Sequence, residues 1–255
     1  MENTKYNSTE YFKKMALFQA RDKSIYHIHI PRSGGKYVSE LLHQNKLKPT
    51  FQYDIVYPWV EDLTLSEELD ETRYQIISLT YKGVLINHLH YPLYNEISDE
   101  IKKAEKFAIV RDPYNRFISA LGMTCLSTEH GYNWQRVCDD IKDRDYFFKF
   151  MDLMQNYSAY RSNCFRSQVD FIDKKTKVYK LEDDLGENFI KWFEKNFSLK
   201  LRDKNPEGNA LFDRNILQGD YEGQKSEIQE NLKIDPIIKE YVREFYAKDY
   251  ETFGY

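Results

Sequence analysis

The sequence predicts an α/β fold in a single domain, 1–255, with a central, mostly parallel β-sheet flanked by helices. Short apolar runs alternate with helical patterns along the chain, and strands that alternate with helices favour right-handed crossovers and parallel pairing. The length of 255 residues suits one substantial domain. The 10 glycines and 7 prolines are spread so thinly that no linker divides the chain.

Four short runs of apolar residues predict the strands of this sheet, because each is short enough to be a buried strand. In chain order they are Ser24–Ile30, Gly83–Asn87, Lys106–Val110 and Lys177–Leu181. In such a sheet, ligands bind at the carboxyl ends of the strands. The residues that follow each run are therefore the candidates for function.

Helices are predicted after three of the strands, where apolar residues recur at helical spacing. Their apolar faces are Val38, Leu41 and Leu42; Phe117, Ile118 and Leu121; and Ile190, Trp192, Phe193 and Phe197. A last amphipathic helix is predicted to begin at Asp235-Pro236, because aspartate caps helices and proline suits their first turn. We expect residues 1–22 to form an N-terminal helix or extension, and residues 203–223 to form a loop near the active site.

Composition and charge exclude several classes of protein. The net charge of −4, from 37 basic and 41 acidic residues, argues against nucleic acid as a partner. Cys125, Cys138 and Cys164 are odd in number and widely spaced, so neither a disulfide framework nor a CxxC motif is expected. No signal peptide is visible, and no run approaches the roughly 18 apolar residues of a membrane span. We expect a cytoplasmic protein, and the sequence indicates no oligomeric state.

The residues after the first predicted strand form a candidate anion site. Pro31-Arg32-Ser33-Gly34-Gly35-Lys36-Tyr37 joins the strand to a helix. A Gly-Gly turn of this kind directs backbone N–H groups and the positive end of the helix to one point, where phosphate is the expected ligand. The segment is not a Walker A motif, because Ile30 replaces its first glycine and Tyr37 replaces the Ser or Thr that holds magnesium.

A second anion site is predicted after the third strand. Asp112 can cap a helix that begins at Pro113, which leaves Arg111 at the carboxyl end of a buried strand. Arg116 and Ser119 lie three residues apart and share a face of that helix, where they would add a guanidinium group and a hydroxyl. Two phosphate sites on neighbouring strand ends suit a bisphosphorylated nucleotide.

Two histidines, His88 and His90, follow the second predicted strand in the segment NHLHY. Imidazole accepts protons near neutral pH, so either histidine is a candidate general base. Structural packing, exposure on a loop and a metal site stay open as alternatives, although no third metal ligand lies nearby in sequence. His27 and His29 alternate along the first strand, where packing is the expected role.

Two later segments are less informative. Arg166 and Gln168, in the sequence FRSQ, are candidates for lining an acceptor cleft or belong to an exposed helix or loop. The acidic run Glu182-Asp183-Asp184 is expected to be a solvated junction between a strand and a helix, where acidic residues are favoured without any catalytic role.

HIPRSGGKYVS and IVRDPYNRFISA resemble the phosphosulfate loop and the 3′-phosphate motif of the carbohydrate sulfotransferases, usually written HIPKTGGTS and RDPxxRxxS. Weaker similarity covers NCFRSQVDFI, KLEDD and FYAKDYETFGY. The resemblance runs from about Ile25 to the end, except for Thr50–Arg73 and the loop after Asp203. It departs from the family pattern at Arg32, where the family has lysine, and at Lys36-Tyr37, where the family has Thr-Ser.

The resemblance implies a P-loop-like sulfotransferase fold, with 3′-phosphoadenosine 5′-phosphosulfate as donor, no metal, and a saccharide hydroxyl as acceptor. Enzymes similar to heparan sulfate 2-O-sulfotransferase carry a histidine base in a segment that NHLHY matches in two registers, with His88 favoured over His90. Arg32 would act in catalysis as well as in binding. The donor would be bound by Arg32, Ser33, Gly34, Gly35, Lys36, Tyr37, Arg111, Arg116 and Ser119.

Two other functions stay open at this point. One is a P-loop-type kinase or another nucleotide-binding protein, against which the substitutions at Ile30 and Tyr37 argue. The other is a degenerate sulfotransferase-like module that binds its ligand without catalysis, which the departures at Arg32 and Lys36-Tyr37 allow.

Overall fold

The computed structural model describes residues 17–20, 23–45, 63–69, 75–81, 84–85, 89–97, 99–127, 134–156, 163–202 and 235–255. The strands are β1 Leu17–Ala20, β2 Lys23–Ile28, β3 Leu63–Leu69, β4 Gln75–Tyr81, β5 Val84–Leu85, β6 Glu105–Val110 and β7 Lys177–Lys180. The α-helices are α1 Gly35–Gln44, α2 Leu93–Ile97, α3 Asp99–Lys103, α4 Pro113–Ser127, α5 Trp134–Asp140, α6 Arg144–Asn156, α7 Glu187–Phe197, α8 Pro236–Phe245 and α9 Ala247–Phe253. Short 3₁₀ helices lie at Gln168–Phe171 and Leu181–Asp183.

The central sheet has the strand order β1-β2-β6-β7. β2 pairs in parallel with β6, and β6 pairs in parallel with β7, while β1 is antiparallel to β2. The mostly parallel sheet predicted from the sequence is thereby confirmed. The carboxyl ends of β2, β6 and β7 meet at one edge, as the strands of a parallel sheet must. That edge carries the loop after β2 and the segment that begins at Arg111.

The second predicted strand belongs to a different sheet. The prediction places Gly83–Asn87 in the central sheet, whereas β5 is the edge of a separate three-stranded antiparallel sheet with the order β3-β4-β5. Tyr81 at the end of β4 pairs with Val84 at the start of β5. Only Lys82 and Gly83 separate the two strands, and a connection of two residues can join antiparallel neighbours but not parallel ones.

The predicted helices are present where the apolar patterns indicate them. The faces on α1 and α4 are buried, and α7 buries Phe193 and Phe197 against the sheet. α8 begins as predicted, because the Asp235 carboxylate accepts a hydrogen bond from the backbone N–H of Ile237 at 3.0 Å. None of the helices in the described ranges is both long and apolar enough to cross a membrane.

The predictions for the N-terminal segment, 1–22, and for the loop, 203–223, fall mostly on residues that the structure does not describe. Residues 1–22 were expected to form a helix or extension, and their described part, 17–20, is strand β1. The remainder of that segment and all of 203–223 lie outside the described residues.

Phe107 is the centre of the aromatic core between the sheet and α7. Its side chain is 0% exposed, and its ring centroid lies 5.4 Å from Phe193 and 5.6 Å from Phe197. The His27 ring stacks on the Phe107 ring, with 4.8 Å between the ring centroids. Because Phe107 is in β6, one of the two inner strands of the sheet, this cluster fixes α7 against the strand that leads to Arg111.

Replacement of Phe107 by alanine should remove this anchor and leave a cavity. We expect Phe107→Ala to lower the free energy of unfolding by about 3–5 kcal/mol. Tyr146, which is 41% exposed on α6, is the control, and Tyr146→Ala should change it by less than about 0.5 kcal/mol. Urea titration monitored by circular dichroism measures the free energy of unfolding of both variants. Equal losses would show that the aromatic cluster stabilises the fold no more than an exposed tyrosine does.

Candidate active site

The segment 31–34 makes a tight turn between β2 and α1. The backbone φ angles of Arg32 and Gly34 are +68° and +81°. The Gly34 carbonyl accepts hydrogen bonds from the N–H groups of Tyr37 and Val38, at 3.1 and 3.4 Å, so the helix starts directly after the turn. A positive φ is ordinary for glycine and uncommon for arginine, and such conformations concentrate at functional sites.

Neither glycine of the turn has room for a side chain. A Cβ atom on Gly34 would lie 2.7 Å from Leu185 and 3.0 Å from Leu181. A Cβ atom on Gly35 would overlap the ring of His29, which stacks on His27 with 5.9 Å between centroids. His27, in β2, and His29, directly after β2, therefore support the turn by packing, as the sequence predicts for them.

His27 is a neutral core residue. Its side chain is almost completely buried, and burial, helped by the neighbouring His29, lowers its pKa well below the usual value. A histidine in this state contributes packing and no charge at neutral pH.

Arg32 extends from the turn to Ser119 on α4. Its Nε and Nη2 atoms donate to the Ser119 hydroxyl oxygen at 3.0 and 2.9 Å. The two residues are 87 positions apart in sequence and come from the two predicted anion sites. The structure thus brings the two predicted motifs into direct contact.

Arg111 contacts the backbone of the same turn. Its Nη1 atom donates to the backbone carbonyl of Arg32 at 3.2 Å. Burial lowers the pKa of Arg111, and the nearby Glu182 carboxylate opposes this effect. An arginine remains protonated under such conditions, so a second fixed cation stands at this edge of the sheet.

Arg116 is a buried side chain that also binds the backbone of the turn. Its side chain is 0% exposed, and it donates from Nε to the carbonyl of Pro31 at 3.1 Å and from Nη2 to the carbonyl of Arg166 at 2.8 Å. The sequence pattern predicts that Arg116 presents a guanidinium group beside Ser119. In the structure, Nε and Nη2 join two backbone segments, while the buried Nη1 atom has no hydrogen-bond partner within the described residues.

Gln168 is a site residue whose role the sequence does not reveal. Its side chain is 0% exposed; Oε1 accepts from the Arg111 N–H at 2.9 Å, and Nε2 donates to the Arg111 carbonyl at 2.8 Å. The Ser33 hydroxyl lies 3.4 Å from the same Oε1 atom. The prediction of a cleft-lining or exposed residue is therefore wrong for Gln168. The polar sequence around it, FRSQ, resembles a surface segment and carries no local sign of burial.

Asp249 on α9 holds Gln168 in place. Its buried carboxylate accepts from the backbone N–H groups of Gln168 and Val169, at 2.9 and 3.0 Å, and so caps the 3₁₀ helix that begins there. Burial raises the pKa of Asp249, while these two hydrogen bonds oppose the rise. The C-terminal helix is thus connected to the site through one side chain.

Glu182, in the 3₁₀ helix after β7, contacts the segment that follows β6. Its two carboxylate oxygens accept from the backbone N–H of Asp112 at 2.8 Å and from the Tyr255 hydroxyl at 2.7 Å. Asp112 itself caps α4 as predicted, because its Oδ1 accepts from the Asn115 N–H at 2.8 Å. Glu182 is exposed at a junction, as the sequence predicts, but it also fixes the Arg111-Asp112 backbone.

His90 lies against the segment 163–171. Its Nδ1 atom is 3.1 Å from the side-chain nitrogen of Asn163, and its ring meets the Phe171 ring edge to face at 6.3 Å. Burial and the positive charge of Arg166 lower the pKa of His90 to about 4, with Glu96 acting in the opposite direction. The following residue, Tyr91, donates its backbone N–H to the Asp170 carbonyl at 3.0 Å.

For three predicted site residues, the structure gives few or no side-chain contacts with the other site residues. His88 lies outside the described residues, and Lys36 is described only as part of the backbone of α1. The ring of Tyr37 is partly buried against the apolar cluster that includes Val38. Within the described ranges, no group of three or more His, Cys, Asp or Glu side chains is placed to hold a metal ion.

A tight turn before a helix, with arginines from two strand ends around it, is typical of α/β proteins that bind phosphate-containing or similar anionic ligands. The model of the sulfotransferase family matches residues 15–255, which is nearly the whole chain. The chain therefore belongs to the sulfotransferase family and is a sulfotransferase enzyme. No curated protein and no solved structure matches it significantly.

The crowding around Gly34 can be tested against a glycine with a similar backbone. Gly254 has a φ of +65°, but the nearest atom to a Cβ there is Lys180 Nζ at 4.0 Å. Both Gly34→Ala and Gly254→Ala should lose about 1–3 kcal/mol of unfolding free energy for the strained backbone. Gly34→Ala should lose about 1–3 kcal/mol more, because it also crowds Leu185 and Leu181. Equal losses in urea titrations would contradict the packing argument.

Proposed function

We propose that this sulfotransferase uses 3′-phosphoadenosine 5′-phosphosulfate as its donor and binds it at the carboxyl edge of the central sheet. The observation that carries the proposal is the contact between Arg32 and Ser119, which unites the two motifs that resemble a phosphosulfate loop and a 3′-phosphate site. Arg111 stands beside them, on the carbonyl of Arg32. Two cations and a hydroxyl at one place suit a ligand with several negative charges.

The proposed binding roles divide between the two strand ends. The turn at Ser33, Gly34 and Gly35, with Lys36 and the first N–H groups of α1, would receive the 5′-phosphosulfate. Arg111 and Ser119 would receive the 3′-phosphate. Arg116 would support the 3′-phosphate site by positioning the turn, because its Nε and Nη2 atoms are engaged with the carbonyls of Pro31 and Arg166.

The proposed reaction is an in-line displacement at sulfur. The acceptor hydroxyl oxygen attacks the sulfur atom, and the bond from sulfur to the 5′-phosphate oxygen breaks. The hydroxyl proton passes to a histidine base, His88 or His90, while Arg32 and backbone N–H groups stabilise the charge that develops on the departing phosphate. The products are a sulfate ester and 3′-phosphoadenosine 5′-phosphate.

The proposed acceptor is a saccharide. This part of the proposal rests on the resemblance of the two motifs to those of the carbohydrate sulfotransferases. Tyr91 gives it physical support, because its side chain is 45% exposed directly beside His90, and an exposed aromatic ring can stack on the apolar face of a sugar.

The donor proposal predicts selective stabilisation by 3′-phosphoadenosine 5′-phosphate. At about one hundred times its dissociation constant, the bisphosphate should add about 2.7 kcal/mol of stability and raise the melting temperature by several degrees. Thermal unfolding with the bisphosphate, with AMP, and with ATP plus magnesium measures this. Arg111→Ala should abolish the shift, whereas Arg144→Ala, which changes an exposed arginine paired with Glu244, should leave it intact. Stabilisation by ATP with magnesium alone would indicate a kinase-type protein instead.

The base proposal predicts that His88→Ala stops turnover and preserves binding. Removal of a general base typically costs about 10²–10⁴ in rate. Release of 3′-phosphoadenosine 5′-phosphate from the phosphosulfate, with a panel of saccharides as acceptors, reports turnover, and the thermal shift reports binding. Full activity in both His88→Ala and His90→Ala would rule out a histidine base.

A further inference from the structure

Three side chains form a series of polar contacts that ends at His90. Arg166 Nε lies 3.3 Å from Asn163 Oδ1, and Asn163 Nδ2 lies 3.1 Å from His90 Nδ1. A guanidinium group can only donate, so the oxygen of the Asn163 amide must face Arg166. The amide nitrogen must then face His90. The opposite orientation of the amide would point two donors at each other.

This orientation fixes where the proton of His90 resides. An amide N–H can only donate, so His90 Nδ1 must accept. A neutral imidazole carries one N–H, and with Nδ1 as the acceptor that proton is on Nε2. The contacts therefore select the Nε2–H tautomer of His90.

Further contacts, burial and backbone conformation keep Arg166 and Asn163 in place. Arg166 also points Nη1 toward the Asp170 carboxylate at 3.5 Å and Nη2 toward the Gln155 carbonyl at 3.4 Å. Asn163 is buried with a φ of +54°, a conformation that asparagine and aspartate adopt more readily than other residues with side chains.

The charges around His90 favour its neutral form. Arg166, from the segment 163–171, places a positive charge near the ring, and Glu96, on α2, places a negative one. Burial is the larger cause, and together with Arg166 it lowers the pKa of His90 to about 4, so the ring is neutral at pH 7. A neutral imidazole whose Nδ1 is occupied and whose Nε2 is protonated has no free lone pair with which to take a proton.

We infer that His90 acts in the active site as a hydrogen-bond donor through Nε2–H, held in that tautomer by Asn163 and Arg166, and that it is not the base. The catalytic part of this inference rests on the proposed function, in which His90 is one of the two histidines proposed to act on the acceptor. His90 would donate to an oxygen on which negative charge develops during sulfuryl transfer. The tautomer itself rests only on the contacts of His90, Asn163 and Arg166.

The tautomer can be measured without turnover. In the full chain with ¹⁵N-labelled histidine, long-range ¹H–¹⁵N correlation spectra distinguish protonated from unprotonated ring nitrogens, and His90→Gln identifies the His90 signals by their loss. We expect Nε2 protonated and Nδ1 unprotonated from pH 8 down to the region of the lowered pKa. A wild-type spectrum with the proton on Nδ1, or with His90 charged at pH 7, would overturn the inference.

Asn163→Asp should reverse the tautomer. A carboxylate can only accept, so Nδ1 would become the donor, and the nearby negative charge would raise the pKa of His90. Asp170→Asn is the matched control, because it also changes one carboxylate or amide near Arg166 but leaves the Asn163 amide, and it should keep the Nε2–H form. An unchanged tautomer in a folded Asn163→Asp protein would show that Asn163 does not set it.

Turnover tests the donor role. The side-chain nitrogen of glutamine can replace Nε2–H, whereas that of asparagine falls near the position of Nδ1. His90→Ala and His90→Asn should each lose about a hundredfold in kcat, and His90→Gln should recover most of it. Equal losses in all three would contradict a donor role. If the bisphosphate does not bind and no transfer occurs, the proposed function fails, while the spectra still decide the tautomer.

Discussion

The reciprocal hydrogen bonds between the Gln168 amide and the backbone of Arg111 are the constraint on which the site depends. β6 ends at Val110, so the N–H and carbonyl of the next residue are at the sheet edge and need partners from elsewhere. Gln168 supplies both and also lies within reach of Ser33. Asp249 fixes Gln168 in turn. The turn after β2, the end of β6 and the C-terminal helix are therefore positioned together.

Three arginines meet around this framework, and each has a different task. Arg116 is buried and bonds to backbone carbonyls, which fixes the turn. Arg32 is held on the Ser119 hydroxyl, and Arg111 is held on the Arg32 carbonyl, so neither has a carboxylate as its hydrogen-bond partner in these contacts. Like charges held close together repel, and an anionic ligand relieves that repulsion. The site thus favours a ligand with several negative charges.

Local features of the sequence predicted the parts of the fold that depend on local physics. β2, β6 and β7 pair in parallel and appear as short apolar runs, and the Asp112 cap acts within one helical turn. Gly83–Asn87 was assigned to the wrong sheet, because an apolar run does not specify its pairing partner. The role of Gln168 is not predicted for a related reason, since it contacts Arg111 from 57 positions away, and no local pattern encodes such a contact.

The two histidines of NHLHY are alike as residue types, so the sequence alone cannot divide their roles. A transfer reaction needs a group that takes the proton of the hydroxyl and a group that donates to the developing negative charge. One imidazole tautomer cannot offer both at the same nitrogen. The Asn163 amide comes from 73 positions away and determines which nitrogen of His90 is protonated. Arg166 orients that amide, and burial together with the charge of Arg166 lowers the His90 pKa, so the ring stays neutral in the tautomer that the amide selects.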